Sequence, residues 1–237
     1  MNLAPVDSAL PRVLEPEVMD SAAEARDYDA MDHGEVNRRF AADFLAALST
    51  AGLGPEVEVL DLGTGTAQIP IELCRQDGSV RVVAIDLADE MLQLAAANVE
   101  RAGYSERIRL QAVDAKRLPF DDGCFAAVMS NSIVHHIPEP RGALTEAVRV
   151  ARPGGLLFLR DLSRPADDAQ VARLVETYAG DCNAQQRKLF DDSLRAALTV
   201  GEIRALAAEL GFDPGTVAPT SDRHWTWSAV ARSRKGS

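Results

Sequence analysis

Val59-Leu60-Asp61-Leu62-Gly63-Thr64-Gly65-Thr66-Ala67 is the stretch on which the reading of this chain turns. A short apolar run ends on an acid, the chain bends through two glycines, and a helical pattern runs on through Cys74. Glycine tolerates a tight left-handed turn and lets a ligand approach the backbone without meeting a Cβ. Asp61 stands where a carboxylate can meet an ammonium group. In an open parallel sheet, ligands bind beyond the carboxyl ends of the strands, where such a loop lies. A dinucleotide fingerprint would need a third glycine at position 68, which is Gln68.

The pattern around this stretch repeats. Val80–Asp86, Ile108–Val113, Phe125–Ser130 and Gly155–Arg160 read as further strands, and Val217 with Trp225–Val230 as two final ones. Helical periodicity covers about Glu35–Ala51, Ala88–Arg101 and Arg141–Val150. Strands alternating with helices imply βαβ units and a parallel sheet. From Asp161 to Val200 no strand-like run occurs, only polar helical sequence. Thr199 with Glu202 forms a capping box for a helix ending near Gly211.

Asp86 ends the second strand, where a carboxylate can accept both hydroxyls of a ribose; it can also cap the helix that follows. Asp114-Ala115 follows the third strand, Leu118-Pro119-Phe120-Asp121-Asp122-Gly123 precedes the fourth, and Arg152-Pro153-Gly154-Gly155 turns into the fifth. In order and spacing, Val57 to Arg160 resembles class I S-adenosylmethionine-dependent methyltransferases, particularly the ubiquinone and menaquinone C-methyltransferase subgroup. The resemblance implies an α/β, Rossmann-like doubly wound, mostly parallel seven-stranded sheet. Helices would cover both faces, with a helical insertion after strand 5.

It also implies S-adenosyl-L-methionine as cofactor and S-adenosyl-L-homocysteine as product. Asp61, Gly63 and Gly65 match the loop holding the methionine part, and Asp86 the ribose-binding acid. Leu87 and Met91 would pack near the adenine, Asp114 and Ala115 would contact its edge, and Asn131 would lie beside the sulfonium. Ala67 departs from the pattern, since many members carry glycine there; its small side chain predicts little consequence.

Asn131-Ser132-Ile133-Val134-His135-His136 follows the fourth strand. A histidine there can take a proton near neutral pH, which makes His135 the candidate catalytic base; packing is the competing role. Acceptor recognition is expected in added segments: Tyr28 and Met31 in an N-terminal arm or lid over residues 1–34, and Arg164, Tyr178 and Arg187 in the 161–200 insertion, with His136 beside them. Residues 35–237 would form the methyltransferase domain. Trp225 and Trp227 share a strand face and read as core or interface.

The net charge is −11 and the pI about 4.8. Phosphate backbones are bound by Lys and Arg, so this balance argues against a nucleic-acid partner. Cys74, Cys124 and Cys182 fit neither a disulfide framework nor a zinc-ligand spacing, and no metal site is expected. No secretory leader and no membrane span is read, which points to the cytoplasm. The expected partner is a small-molecule methyl acceptor, and a homodimer stays open. Two alternatives stand beside methyl transfer: non-catalytic binding of the nucleoside, and cofactor chemistry other than methylation.

Overall fold

The computed structural model describes residues 9–15, 25, 26, 29, 34–54 and 56–231. The elements in chain order are α1 (Gly34–Thr50), β1 (Glu58–Leu62), α2 (Gln68–Gln76), β2 (Arg81–Asp86), α3 (Asp89–Ala102), β3 (Ile108–Ala112), β4 (Phe125–Asn131), a 3-10 turn (Val134–His136), α4 (Arg141–Val150), β5 (Ala151–Leu162), α5 (Asp168–Ala179), α6 (Ala184–Ala196), α7 (Val200–Glu209), a 3-10 turn (Pro214–Thr216), β6 (Val217–Pro219) and β7 (His224–Val230). The strands form one seven-stranded sheet in the order β3-β2-β1-β4-β5-β7-β6. β1 pairs parallel with both β2 and β4, and β2 parallel with β3, whereas β6 and β7 run antiparallel. This is the doubly wound, mostly parallel sheet expected from the sequence. Its order reverses beside β1, with β2 on one flank and β4 on the other, which opens a crevice at their carboxyl ends.

β5 departs from its expected bounds. It begins at Ala151, so Arg152-Pro153-Gly154-Gly155 lies within the strand rather than before it. The cause is pairing: the Gly154 N–H donates to the Ala231 carbonyl and the Ala231 N–H to that of Gly155, both at 2.8 Å. Gly154 takes φ +79° there, a value that favours glycine.

Contacts divide the chain into two compact units: residues 18–131, 141–159 and 228–237 in one, and residues 1–17, 132–140 and 160–227 in the other.

In the first unit the apolar runs of β1, β2 and β4 are buried almost throughout, as strands covered on both faces must be. Phe40 and Phe44 of α1 set their ring edges against Phe158 at centroid distances of 5.4 and 5.7 Å. Such pairs add about 0.5–1.5 kcal/mol to their burial.

The second unit has its own core of Leu162, Val171, Leu174, Val175, Leu194 and Ala197, against which Leu10 and Phe190 pack. The capping box read from Thr199 is present: the Glu202 N–H donates to Thr199 Oγ1 at 3.1 Å and the Thr199 N–H to Glu202 Oε2 at 2.8 Å. Trp225 and Trp227 are fully buried, and the rings of Phe212 and Trp227 pack edge to face with their centroids 5.2 Å apart. Among the described residues no helix is long and apolar enough to cross a membrane.

Candidate functional site

The glycine loop is fixed by backbone donors. The N–H groups of Gly63 and Thr64 both donate to the Ile85 carbonyl, at 3.0 and 2.9 Å. The Gly65 N–H donates to Asp86 Oδ2 at 2.7 Å, while Asp86 Oδ1 accepts from the Ala88 N–H at 2.9 Å. One carboxylate therefore holds both the loop and the start of α3. Each of its oxygens keeps a second lone pair for a ligand hydroxyl, so the two roles read for Asp86 are compatible. Gly63 and Gly65 take φ of 71° and 55°.

Ala67 also takes a left-handed conformation, φ 61°, at the N-cap of α2, and is fully buried. A Cβ in this region costs about 1–2 kcal/mol. The alanine is thus strained where glycine would not be.

Asp61 is the electrostatic centre of the loop. Only 3% of it is exposed, and Oδ2 has no hydrogen-bonded partner among the described residues. Burial drives its carboxyl up to about 7; the neighbouring Thr64 offsets part of this and the Asp86 charge adds to it. A buried acid with an unsatisfied oxygen is the counterpart of a cationic ligand group.

Asp61 lines a small cleft together with Gly63, Thr64 and Thr66 of the loop and Asn131 at the end of β4. Asn37, Gln68 and Ile69 complete it. Asp61, Gly63 and Asn131 were thus expected here, and Asn37 was missed. Its signal was available, because Asn37 shares the buried face of α1 with Phe40, Ala41, Phe44 and Leu48, and a polar residue on an apolar stripe asks for a partner.

The remaining expected cofactor positions stand at neighbouring strand ends. Met91 is buried with Ala25 and Ala88, whereas Leu87 is 47% exposed. The Val113 N–H donates to the Asp86 carbonyl at 3.0 Å, which carries Asp114 and Ala115 to the same edge of the sheet. Burial opposes the charge of Asp114, but the Lys116 N–H at 2.8 Å and ammonium at 3.1 Å outweigh it and hold its pKa below the ordinary value.

Residues 60–159 match the family described as "Methyltransferase domain". Over 120 residues the chain is 33% identical to the ubiquinone/menaquinone biosynthesis C-methyltransferase UbiE of Geobacter sp. (strain M21), covering 50% of this chain and 51% of that protein. It is 37% identical over 133 residues to a demethylmenaquinone methyltransferase of Mycolicibacterium paratuberculosis (strain ATCC BAA-968 / K-10), covering 56% and 53%. The fold matches a SAM dependent methyltransferase from Aquifex aeolicus with TM-score 0.65 and 19% identity, over 89% of this chain and 98% of that one. The chain spans about half the length of the curated relatives it matches.

In the second unit, Asp161 gathers the turn after β4. Its Oδ2 accepts from the N–H groups of Val134 and His135 at 2.6 and 3.1 Å, and Oδ1 meets His135 Nδ1 at 2.5 Å. His135 Nε2 lies 3.4 Å from Glu15 Oε1, and the residue is 3% exposed. Both ring nitrogens of the expected base therefore face carboxylates. Burial lowers the pKa of this imidazole, but Asp161 and then Glu15 outweigh that and raise it above the ordinary value.

The other expected acceptor residues are engaged by protein groups. Arg164 donates to the Ala197 carbonyl at 2.8 Å and to Glu202 at 2.6 Å. Arg187 donates to the Gly180 carbonyl at 2.9 Å and to Glu176 at 2.6 Å. The Tyr178 hydroxyl donates to Asp222 at 2.7 Å, and the Arg223 guanidinium lies 3.3 Å from its ring centroid. His136 faces Glu15. Tyr28 and Met31 lie outside the described residues.

Sequence reading also missed Arg12. Its guanidinium donates to the carbonyls of Ala196, Pro138, His135 and Ile137 at 2.6, 2.9, 3.2 and 3.0 Å. A single arginine among three prolines gives no periodic signal of such a contact.

Proposed function

We propose that this protein transfers a methyl group from S-adenosyl-L-methionine to a small organic acceptor. The observation that carries the reading is Asp61, an acid buried beside the glycine loop with an oxygen left for a cation. When bound, the cofactor supplies a methyl group already activated on a sulfonium. Asp61 binds the ammonium of its amino-acid part, and Gly63 and Gly65 admit the ligand close to the backbone. Asp86 accepts the ribose hydroxyls without releasing the Gly65 and Ala88 N–H groups, and Asp114 accepts from the adenine amine. Asn131 orients the reacting end, and the apolar strands behind the cleft exclude water.

His135 is not used as a base in this reading, since the residue is buried and both its nitrogens face carboxylates. Alignment of acceptor, methyl and sulfur carries the rate; such positioning is worth roughly 7–11 kcal/mol in favourable cases. The quinone-pathway names of the relatives and the net charge of −11 favour a small acceptor over a nucleic acid, with the cytoplasm as its place of action.

The test is calorimetric titration with S-adenosyl-L-homocysteine, followed by acceptor screening for products one CH₂ heavier. Micromolar binding and a methylated product are expected. Folded protein that binds no S-adenosyl-L-homocysteine overturns the reading. Binding without any methylated product in the screen would favour a non-catalytic nucleoside binder, and cofactor consumption without methylation a different chemistry.

A further inference from the structure

Glu15, His135 and His136 bring three potential metal-ligand atoms within 4.8 Å of one another. Glu15 Oε1 lies 3.4 Å from His135 Nε2 and 3.1 Å from His136 Nδ1. Both are close carboxylate–imidazole contacts that hold an ion pair when the ring is protonated. Glu15 Oε1 and His136 Nδ1 are both buried without a hydrogen-bonded partner. The Glu15 side chain is 92% buried, being 8% exposed. Burying polar atoms without partners is unfavourable, so the arrangement suits a third body on which the three atoms converge.

The surroundings are those of a metal ligand set. Asp161 Oδ1 sits on His135 Nδ1, the carboxylate contact that fixes the tautomer and turns the lone pair of the opposite nitrogen outward. That lone pair faces Glu15 Oε1. In the neutral ring these two acceptors repel, and either a proton on Nε2 or a metal ion between them removes the repulsion. The neighbouring His136 ring is tilted by 36° with its centroid 4.1 Å from that of His135. Ser193 Oγ reaches the other Glu15 oxygen at 3.3 Å.

Spacing agrees with a small tetrahedral ion. Metal–nitrogen and metal–oxygen bonds of about 2.0–2.1 Å in a tetrahedron give edges of about 3.3–3.4 Å. The two measured edges, 3.4 and 3.1 Å, are close to this. Two imidazoles and one carboxylate suit zinc and its first-row neighbours, whereas calcium and magnesium take oxygen ligands.

We propose that Glu15, His135 and His136 form a binding site for a zinc-class divalent cation, with Asp161 orienting His135 from behind. The ion joins the segment at residues 9–15 to the turn after β4. The methyl-transfer reading does not require it. Sequence spacing gave no hint of the site, because Glu15 lies far along the chain from the histidine doublet.

The test uses the full chain carrying Cys124→Ser and Cys182→Ser, to remove competing thiols, stripped with a chelator and dialysed. Titration with Zn²⁺ should give one saturable site per chain with micromolar or tighter affinity. Co²⁺ should give the visible absorption of a tetrahedral centre. Zinc should raise Tm. Glu15→Gln and His136→Gln, each checked by circular dichroism, should weaken zinc binding at least tenfold. Failure to bind zinc stoichiometrically, or unchanged affinity in whichever variants fold, overturns the proposal. In that outcome the cluster is a proton-sharing one, with an imidazolium between two carboxylates.

Discussion

Asp86 Oδ2 lies 2.7 Å from the Gly65 nitrogen and accepts its N–H, so the acid at the end of β2 fixes the shape of the loop after β1. Ligand contact and loop geometry therefore fail together when this side chain is removed. Asp86→Ala strands the N–H groups of Gly65 and Ala88, at about 1–3 kcal/mol for each one left unsatisfied. Calorimetry should show S-adenosyl-L-homocysteine affinity reduced at least a hundredfold, with Tm lowered as well. A variant that binds normally would remove Asp86 from the site.

Asp61 makes cofactor binding depend on pH. Its carboxyl is raised to about 7 from an ordinary 3.8, so the folded chain without ligand holds a proton that the unfolded chain has lost. Stability from this group therefore falls as pH rises between the two values, by on the order of 4 kcal/mol in all. An ammonium ligand needs the ionised acid, so affinity should rise about tenfold per pH unit below 7 and level off above it. Asp61→Asn should abolish that slope, weaken binding, and stabilise the ligand-free protein near pH 8. A pH-independent wild-type affinity would contradict this account.

Asp161 and His135 form a buried pair whose contribution has a bounded pH window. His135 is raised, so its share is complete below its unfolded value near 6.5 and is lost as pH rises through the folded one. Burial opposes the charge of Asp161, yet His135 and the Leu162 N–H hold its pKa below the ordinary value. Its share is complete above its unfolded value near 3.9 and is lost as pH falls through the folded one. The combined effect should be greatest between about pH 4 and 6.5. Asp161→Asn should cost about 3–5 kcal/mol in urea unfolding within that window. A cost under about 1 kcal/mol would show that the pair does little for stability.

Ala67 sets a steric test. Glycine there relieves about 1–2 kcal/mol of left-handed strain, but gives up a buried methyl worth about 0.8 and adds roughly 0.4–1 of unfolded-chain entropy. Ala67→Gly should leave stability within about 1 kcal/mol of wild type. Ala67→Val adds a β-branched side chain at positive φ and overfills the site, and should cost 3 kcal/mol or more, by order of magnitude. Equal denaturation midpoints for the valine and glycine variants would refute the strain assigned here.

The sheet was legible because its information is local. Runs such as Val82-Val83-Ala84-Ile85 and turns such as Gly63-Thr64-Gly65 carry their conformation in their own composition, and α4 fell on its observed bounds. The resemblance placed Asp61 and Asn131 by position, and both line the cleft. Asn37, Arg12 and Glu15 were not read, because each owes its place to a partner distant in sequence. The same holds for His135: the residue type suggested a base, but only the fold shows Asp161 and Glu15 at its two nitrogens. Arg164 and Arg187 looked available as free charges, and folding assigns both to carbonyls and carboxylates.

Residues 9–15 belong to no helix or strand, yet they are woven into the second unit at several points. Leu10 and Val13 donate backbone N–H groups to the carbonyls of Pro165 and Arg195, and Arg12 reaches four carbonyls. For anyone trimming this protein to a minimal piece, the first regular helix is a misleading landmark. A chain begun at Gly34 would keep every strand and still lose the groups that cover the carbonyls of His135, Ile137 and Pro138. Such a truncation would report on the fold while removing part of what it was meant to study.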